Sequence, residues 1–258
     1  MTAFLDFVRD RVLLFDGGMG TQIQGADLDL EKDFWGQENC SEILNLSRED
    51  FVRQVHDAYL GAGSDAVETN TFGASPITLG EFGLADKARE INKRAAELAR
   101  EAIEAQPDKG RPRFVVGAIG PGTRLPSLGH VTYRELEDAF AVQAQGLLDG
   151  GVDAILVETA QDTLQVKAAV NGCRRTLRVN NRSEEDLPVI VQVTVETTGT
   201  MLVGPDIAAA ATLMDALKVK SLGLNCATGP REMAEHIKYL GENWAGLISI
   251  QPNAGLPE

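Results

Sequence analysis

Short apolar runs of strand length recur along this chain, each followed by a stretch of helical periodicity. They lie at Val12–Phe15, Ala66–Thr71, Phe114–Ile119, Ala154–Glu158, Val189–Val195, Ser221–Asn225 and Leu247–Gln251. Most are apolar throughout rather than at every second position. That is the pattern of parallel strands covered on both faces, where neither side meets water. Ile207 to Leu217 is also apolar, but Asp215 interrupts it and its length suits a buried helix.

Start and stop signals mark the helices between these runs. Ser47-Arg-Glu-Asp50 and Thr132-Tyr-Arg-Glu135 fit the capping box, in which a hydroxyl and a later acid satisfy free backbone donors. Pro205 and Pro230 stand where a first helical turn tolerates proline. Asp86 to Ala105, rich in Ala, Glu, Lys and Arg, predicts an amphipathic outer helix. Gly61-Ala-Gly63 and Gly150-Gly151 close helices just ahead of the next strand. Arg178 to Asp186 and Lys109 to Arg113 read as polar loops.

Strands alternating with helices predict a parallel α/β fold, in one domain spanning residues 1–258. A closed (β/α)8 barrel and an open doubly wound sheet both satisfy the alternation. The barrel is favoured by where the polar residues fall. Asp16, Glu68 with Asn70, Glu158, Glu196, Asn225 with Cys226, and Asn253 all sit at C-terminal strand ends. In a barrel those ends converge on one mouth. In an open sheet only the strands at the switch point would contribute. A barrel needs an eighth strand, expected beyond Glu258, so the barrel is read as truncated before its last strand.

Composition narrows the partners. The formal net charge of −14 argues against nucleic acid or an anionic membrane surface, since both need basic patches. No apolar stretch approaches a membrane span, and the charged N-terminus is not a secretory signal. Cys40, Cys173 and Cys226 form no disulfide framework, which suits a reducing cytoplasm.

The candidate chemistry collects at the predicted mouth. The glycines of Asp16-Gly-Gly-Met-Gly20 let backbone approach a ligand closely, and the Asp16 carboxylate suits a cationic amine. Glu68-Thr-Asn-Thr-Phe72 and Glu158-Thr159 add two acids, fit to bind an ammonium group, to act in acid–base catalysis or to ligate a hard metal. Cys226, after Asn225 and before Ala-Thr-Gly-Pro230, is placed to hold a metal or attack a substrate; buried packing is the plainer reading. Cys40 and Cys173 read as packing, and His56, His130 and His236 as ordinary polar residues. No lysine stands at a strand end for Schiff-base chemistry.

Taken in order, Asp16-Gly-Gly-Met-Gly20-Thr, Glu68-Thr-Asn-Thr-Phe72, Gly120-Pro, Glu158-Thr, Gly223-Leu-Asn-Cys226-Ala-Thr-Gly-Pro230 and Pro252-Asn-Ala-Gly-Leu-Pro257 resemble the homocysteine S-methyltransferases. Glu68-Thr-Asn-Thr and Asn253-Ala-Gly-Leu-Pro point to the branch of cobalamin-dependent methionine synthases, at its N-terminal homocysteine-binding module.

The resemblance implies a TIM barrel with a zinc site that activates homocysteine as a thiolate for methylation to methionine. By analogy Cys226 is one zinc ligand, and a Gly-Gly-Cys-Cys motif beyond residue 258 supplies two more. Asp16, Gly17, Gly18 and Glu158 would hold the amino-acid end of homocysteine, while Glu68, Thr69, Asn70, Thr71 and Asn225 would line the pocket. Methylcobalamin as donor and methyltetrahydrofolate as its source would reside on other modules. A rival reading is a barrel fragment that binds substrate or partner without zinc and without catalysis.

Overall fold

The computed structural model describes residues 2–108 and 110–254. Lys109 of the predicted loop, and Gly255, Leu256 and Pro257 of the last motif, lie outside the described residues. Helices α1 (Ala3–Asp10), α2 (Met19–Gln24), α3 (Leu44–Ser47) and α4 (Glu49–Ala62) precede the first strand, β1 (Ala66–Glu68). Then α5 (Pro76–Gly80) and α6 (Ala88–Ala105) lead to β2 (Phe114–Ile119), and α7 (Tyr133–Asp149) to β3 (Ala154–Ala160). α8 (Thr163–Val179) precedes β4 (Val189–Val193), α9 (Ile207–Ala216) precedes β5 (Ser221–Asn225), and α10 (Pro230–Asn243) precedes β6 (Leu247–Gln251).

All pairings are parallel, and the strands neighbour one another in sequence order from β1 to β6. No switch point interrupts that order, so the doubly wound alternative falls. The sheet is also strongly curled. Gln251 Nε2 on β6 donates to Glu68 Oε1 on β1. In a flat sheet of this size the outer strands would stand about 24 Å apart, at about 4.8 Å per step. The described residues therefore form a six-stranded parallel half-barrel.

Continuous apolarity in the strands has a simple cause. In β2, Val115 and Ile119 face a core shared with the surrounding helices, whereas Phe114 and Val116 face the half-barrel interior. α1 covers the bottom of that interior, where the Phe4 ring meets Phe114 edge-on with centroids 5.3 Å apart. Gly223 has its own reason: a Cβ there would lie 1.8 Å from the Ser249 carbonyl oxygen. β5 and β6 approach closely only because position 223 carries no side chain.

Several expectations are corrected. Val12–Phe15 is not a strand of the sheet. The Leu14 carbonyl accepts from Asp65 and Ala66 N–H, but its own N–H goes to the Asp65 carboxylate, and Val12 is 92% exposed. β1 ends at Glu68 rather than Thr71, because Thr71 N–H turns back to the Thr69 carbonyl at 2.8 Å. Ser47 does not cap α4: its hydroxyl donates to the Asp33 carbonyl instead. Pro205 stands one residue ahead of the Asp206 cap of α9. The Thr132–Glu135 capping box forms as predicted.

His56, read from sequence as an ordinary polar residue, is fully buried on α4, and neither ring nitrogen has a hydrogen-bond partner. Burial lowers its pKa from 6.5 to about 4. The unfolded chain therefore binds a proton between those values that the folded protein refuses. Its contribution to stability is whole above about pH 6.5 and is lost as pH falls toward 4, by about 3 kcal/mol in all. Urea midpoints across that range check this: His56→Leu flattens the acid slope relative to the parent.

Candidate functional site

At the C-terminal ends of the strands a cleft of about 960 Å³ opens, with Asp16, Glu68, Glu158, Asn225, Cys226 and Gln251 among its lining. Glu68 and Glu158 occupy the last inward-facing positions of β1 and the upper part of β3. Asp16 reaches them from the segment alongside β1, its Oδ2 accepting the Glu68 N–H at 3.0 Å. Three carboxylates thus share one partly dry space.

Their ionisation reflects that crowding. Burial, then the charge of Glu68, holds the Asp16 carboxyl well above its usual range. Glu158 is raised likewise, by burial first and then by Glu68 and Asp16. Burial lifts Glu68 to about 7, against the hydrogen bond from Gln251. Like charges held together in low dielectric retain protons unless a cation joins them. The trio is therefore an acceptor for a positively charged group.

Asn225 organises the opposite wall. It is buried at the end of β5, and its Nδ2 donates to Glu158 Oε2 at 3.0 Å and Thr159 Oγ1 at 2.8 Å. Its Oδ1 accepts the Thr159 N–H at 2.8 Å, and its backbone carbonyl accepts from Thr194 Oγ1 at 3.0 Å. The bond to Thr159 N–H satisfies a donor freed where the β3–β4 register shifts between Val157 and Ala160. Just after Asn225 the chain is left-handed twice, with φ 56° at Cys226 and 53° at Ala227. Thr159 is left-handed too, at φ 51°, which is an outlier for a β-branched residue. Non-glycine residues so held persist only where surroundings over-determine them, and such positions cluster at functional sites.

Cys226 is half-buried, lines the cleft and has Thr159 Oγ1 at 3.6 Å from its sulfur. Burial and the charges of Glu158 and Glu68 push its pKa up, against the Thr159 hydrogen bond. The other two cysteines are sealed in packing, with their thiols pushed up to about 12 by burial. Among the described residues, no group of three or more His, Cys, Asp or Glu is arranged to hold a metal. A catalytic zinc site takes three protein ligands. Cys226 offers one soft donor, so these residues alone do not fit the zinc that the resemblance implies.

The remaining predicted residues are at the cleft in varied capacities. Gly17 and Gly18 line it, with the Tyr59 ring packed so closely that a Cβ on Gly17 would lie 2.8 Å away. Thr69, Asn70 and Thr71 also line it, yet their polar groups are engaged in the β1–α5 loop. Ala118 N–H donates to Thr69 Oγ1, Thr71 Oγ1 donates to the Ala118 carbonyl, and Asn70 Nδ2 donates to the Ser41 carbonyl. Asn253 joins the lining, but Glu196 does not; its N–H closes a turn to Thr200. In the Gly120-Pro motif, a Cβ at 120 would lie 2.6 Å from the Phe72 carbonyl oxygen, so the glycine admits the loop carrying Phe72.

Sequence reasoning missed Gln251 and Glu42. Gln251 ends a predicted strand and was visible by the rule that found Glu158. Glu42 is buried on a 3-10 turn after Cys40 and accepts the Gly73 N–H. No periodicity pointed to it.

The profile of the homocysteine S-methyltransferase family matches residues 13–258. Methionine synthase of Mycobacterium tuberculosis (strain ATCC 25618 / H37Rv) is 50% identical over 256 residues, covering 99% of this chain and 21% of that protein. Methionine synthase of Mycobacterium leprae (strain TN) is 49% identical over 256 residues, with the same coverage. The chain thus spans about a fifth of the length of these curated relatives. Among solved structures, the homocysteine methyltransferase MmuM from Escherichia coli shares the fold. Its metallated form superposes with a TM-score of 0.77 at 21% identity, covering 98% of this chain and 86% of that one. Its oxidized form gives a TM-score of 0.73 at 20% identity, covering 98% and 96%. On the match of its profile across nearly the whole sequence, this chain belongs to the homocysteine S-methyltransferase family.

Proposed function

We propose that this chain binds homocysteine and presents its sulfur for methylation to methionine. The observation that carries the reading is the placement of the Asp16–Glu68–Glu158 trio and Cys226 on one cleft. The trio receives the ammonium group, with the Gly17–Gly18 turn and Asn225 closing around the amino-acid end. Thr69, Asn70 and Thr71 shape the pocket through the loop they brace. The guest sulfur then lies toward Cys226. Its lone pair forms the new S–CH3 bond while the donor's bond to that methyl breaks, the electron pair leaving with the donor.

In this reading Cys226 is one ligand of a zinc ion whose other protein ligands come from outside the described residues. Zinc, when bound, keeps a coordinated thiol deprotonated at neutral pH. The six strands belong to a (β/α)8 barrel serving as the homocysteine module of a larger cytoplasmic methionine synthase. The methyl donor is methylcobalamin, recharged from methyltetrahydrofolate on companion modules. The relatives named methionine synthase support this, since the chain matches only 21% of their length.

The trio gives a direct test. An ammonium ion stabilises the ionised carboxylates, so it lowers their raised pKa values and expels protons. Affinity for homocysteine therefore climbs as pH rises through about 7, where Glu68 titrates. Calorimetry in buffers of different ionisation enthalpy should show net proton release, and Glu158→Gln should weaken binding by roughly tenfold to a hundredfold. Binding without proton exchange, and indifferent to Glu158→Gln, would rule the reading out.

A second reading, amino-acid binding without methyl transfer, is favoured by the lack of a complete metal-ligand set among the described residues. Zinc content separates the two. Stoichiometric zinc lost in Cys226→Ala supports the first, and metal-free protein that binds homocysteine supports the second.

A further inference from the structure

Thr159 is held at a cost and its hydroxyl is aimed. Its backbone is left-handed at φ 51°, where a β-branched residue is strained, yet the register shift in β3 keeps it there. The hydroxyl's surroundings fix its polarity. Asn225 Nδ2 has two hydrogens, and its two short contacts are Glu158 Oε2 at 3.0 Å and Thr159 Oγ1 at 2.8 Å. Nδ2 is only a donor, so Thr159 Oγ1 must accept from it. The hydroxyl proton points to Cys226 Sγ at 3.6 Å, a sulfur that Asn225 Nδ2 also approaches at 3.6 Å, with the Glu158 carboxyl as the competing acceptor. The side-chain amide cannot reverse this order, because Asn225 Oδ1 already takes the Thr159 N–H at 2.8 Å.

We infer that Thr159 is a positioning residue that donates a hydrogen bond to the Cys226 sulfur, steering it into the cleft and damping its nucleophilicity. A sulfur that accepts such a bond shares its lone-pair density with the donor. Two sulfurs face one electrophilic methyl group in the proposed reaction, and only one should take it. The chain Glu158–Asn225–Thr159–Cys226 biases the competition toward the guest by quieting the resident sulfur. This rests on the reading that Cys226 faces the guest thiol, but the interaction itself is testable without homocysteine.

The experiment follows alkylation of Cys226 in metal-free protein by iodoacetamide, with the modified peptide identified by mass spectrometry. The rate is taken at its high-pH limit, so that the ionised fraction does not enter. Thr159→Val removes the hydroxyl while keeping a β-branched side chain at the strained position, and it is expected to raise that limiting rate several-fold. Thr159→Ser keeps the hydroxyl and is expected to react close to the parent rate. Should the valine variant fold poorly by thermal melt, Thr159→Ala against Thr159→Ser makes the same comparison. Equal rates in the variants with and without the hydroxyl would overturn the inference. Loss of homocysteine binding with the rate difference intact would instead fault the functional reading alone.

Discussion

On the proposed function, replacing Cys226 with alanine should lower kcat/KM for homocysteine methylation by roughly a thousandfold or more, while leaving calorimetric binding of the amino-acid end largely in place. The asymmetry follows from the geometry. Asp16, Glu68 and Glu158 take no hydrogen bond from Cys226, so the ammonium receptor survives the change. What is lost is the sulfur just after β5, together with its contacts to Thr159 and Asn225. The fold should tolerate the substitution, since Cys226 is half-buried and alanine already occupies the next left-handed position at Ala227. A methionine-formation assay, with melting temperature as control, checks this in any polypeptide that carries the chain. Turnover that persists in Cys226→Ala would place the reacting centre elsewhere.

Asn225→Ala should fail on both counts at once. Asn225 is 2% exposed, and its side chain serves Glu158 and Thr159. Its removal strands the Thr159 N–H inside the register shift and strips Glu158 of a donor. Buried groups left unsatisfied cost about 1–3 kcal/mol each, so a total of about 3 kcal/mol and a melting temperature lower by roughly 10 °C are expected. Turnover should drop at least about a hundredfold, since second-tier partners of a reactive centre typically matter on that scale. Asn225→Asp is no rescue: it lacks the two N–H donors and adds a fourth acid to the mouth. Wild-type melting of Asn225→Ala would show that the wall is organised by other contacts.

The barrel-like layout was legible because burial on both strand faces leaves an unmistakable apolar run, as in Phe114–Ile119. The same signal misled at Val12–Phe15, where Leu13 and Phe15 pack against the interior cluster but Val12 and Leu14 stand exposed and the segment is not a strand of the sheet. The acids were legible through the rule that strand ends meet at a mouth. The structure brings Asp16, Glu68, Glu158, Asn225 and Cys226 to one cleft, Asp16 without the strand expected before it, and leaves out Glu196, which a tight turn carries away. Ser47 looked like a cap because its spacing to Asp50 is right, but a nearer backbone carbonyl at Asp33 claims the hydroxyl. Glu42, and the pairing of Gln251 with Glu68 across 183 residues, depend on how the sheet curls. Contacts of that kind have no local pattern to read.

The lip formed by Cys226 and Ala227 sets durability against turnover. A left-handed alanine carries about 1 kcal/mol of strain that glycine would relieve, so a screen for heat resistance should favour Ala227→Gly. The same exchange would loosen the rim on which the sulfur is mounted. Breeding this protein for hardiness and breeding it for speed would therefore pull one codon in opposite directions.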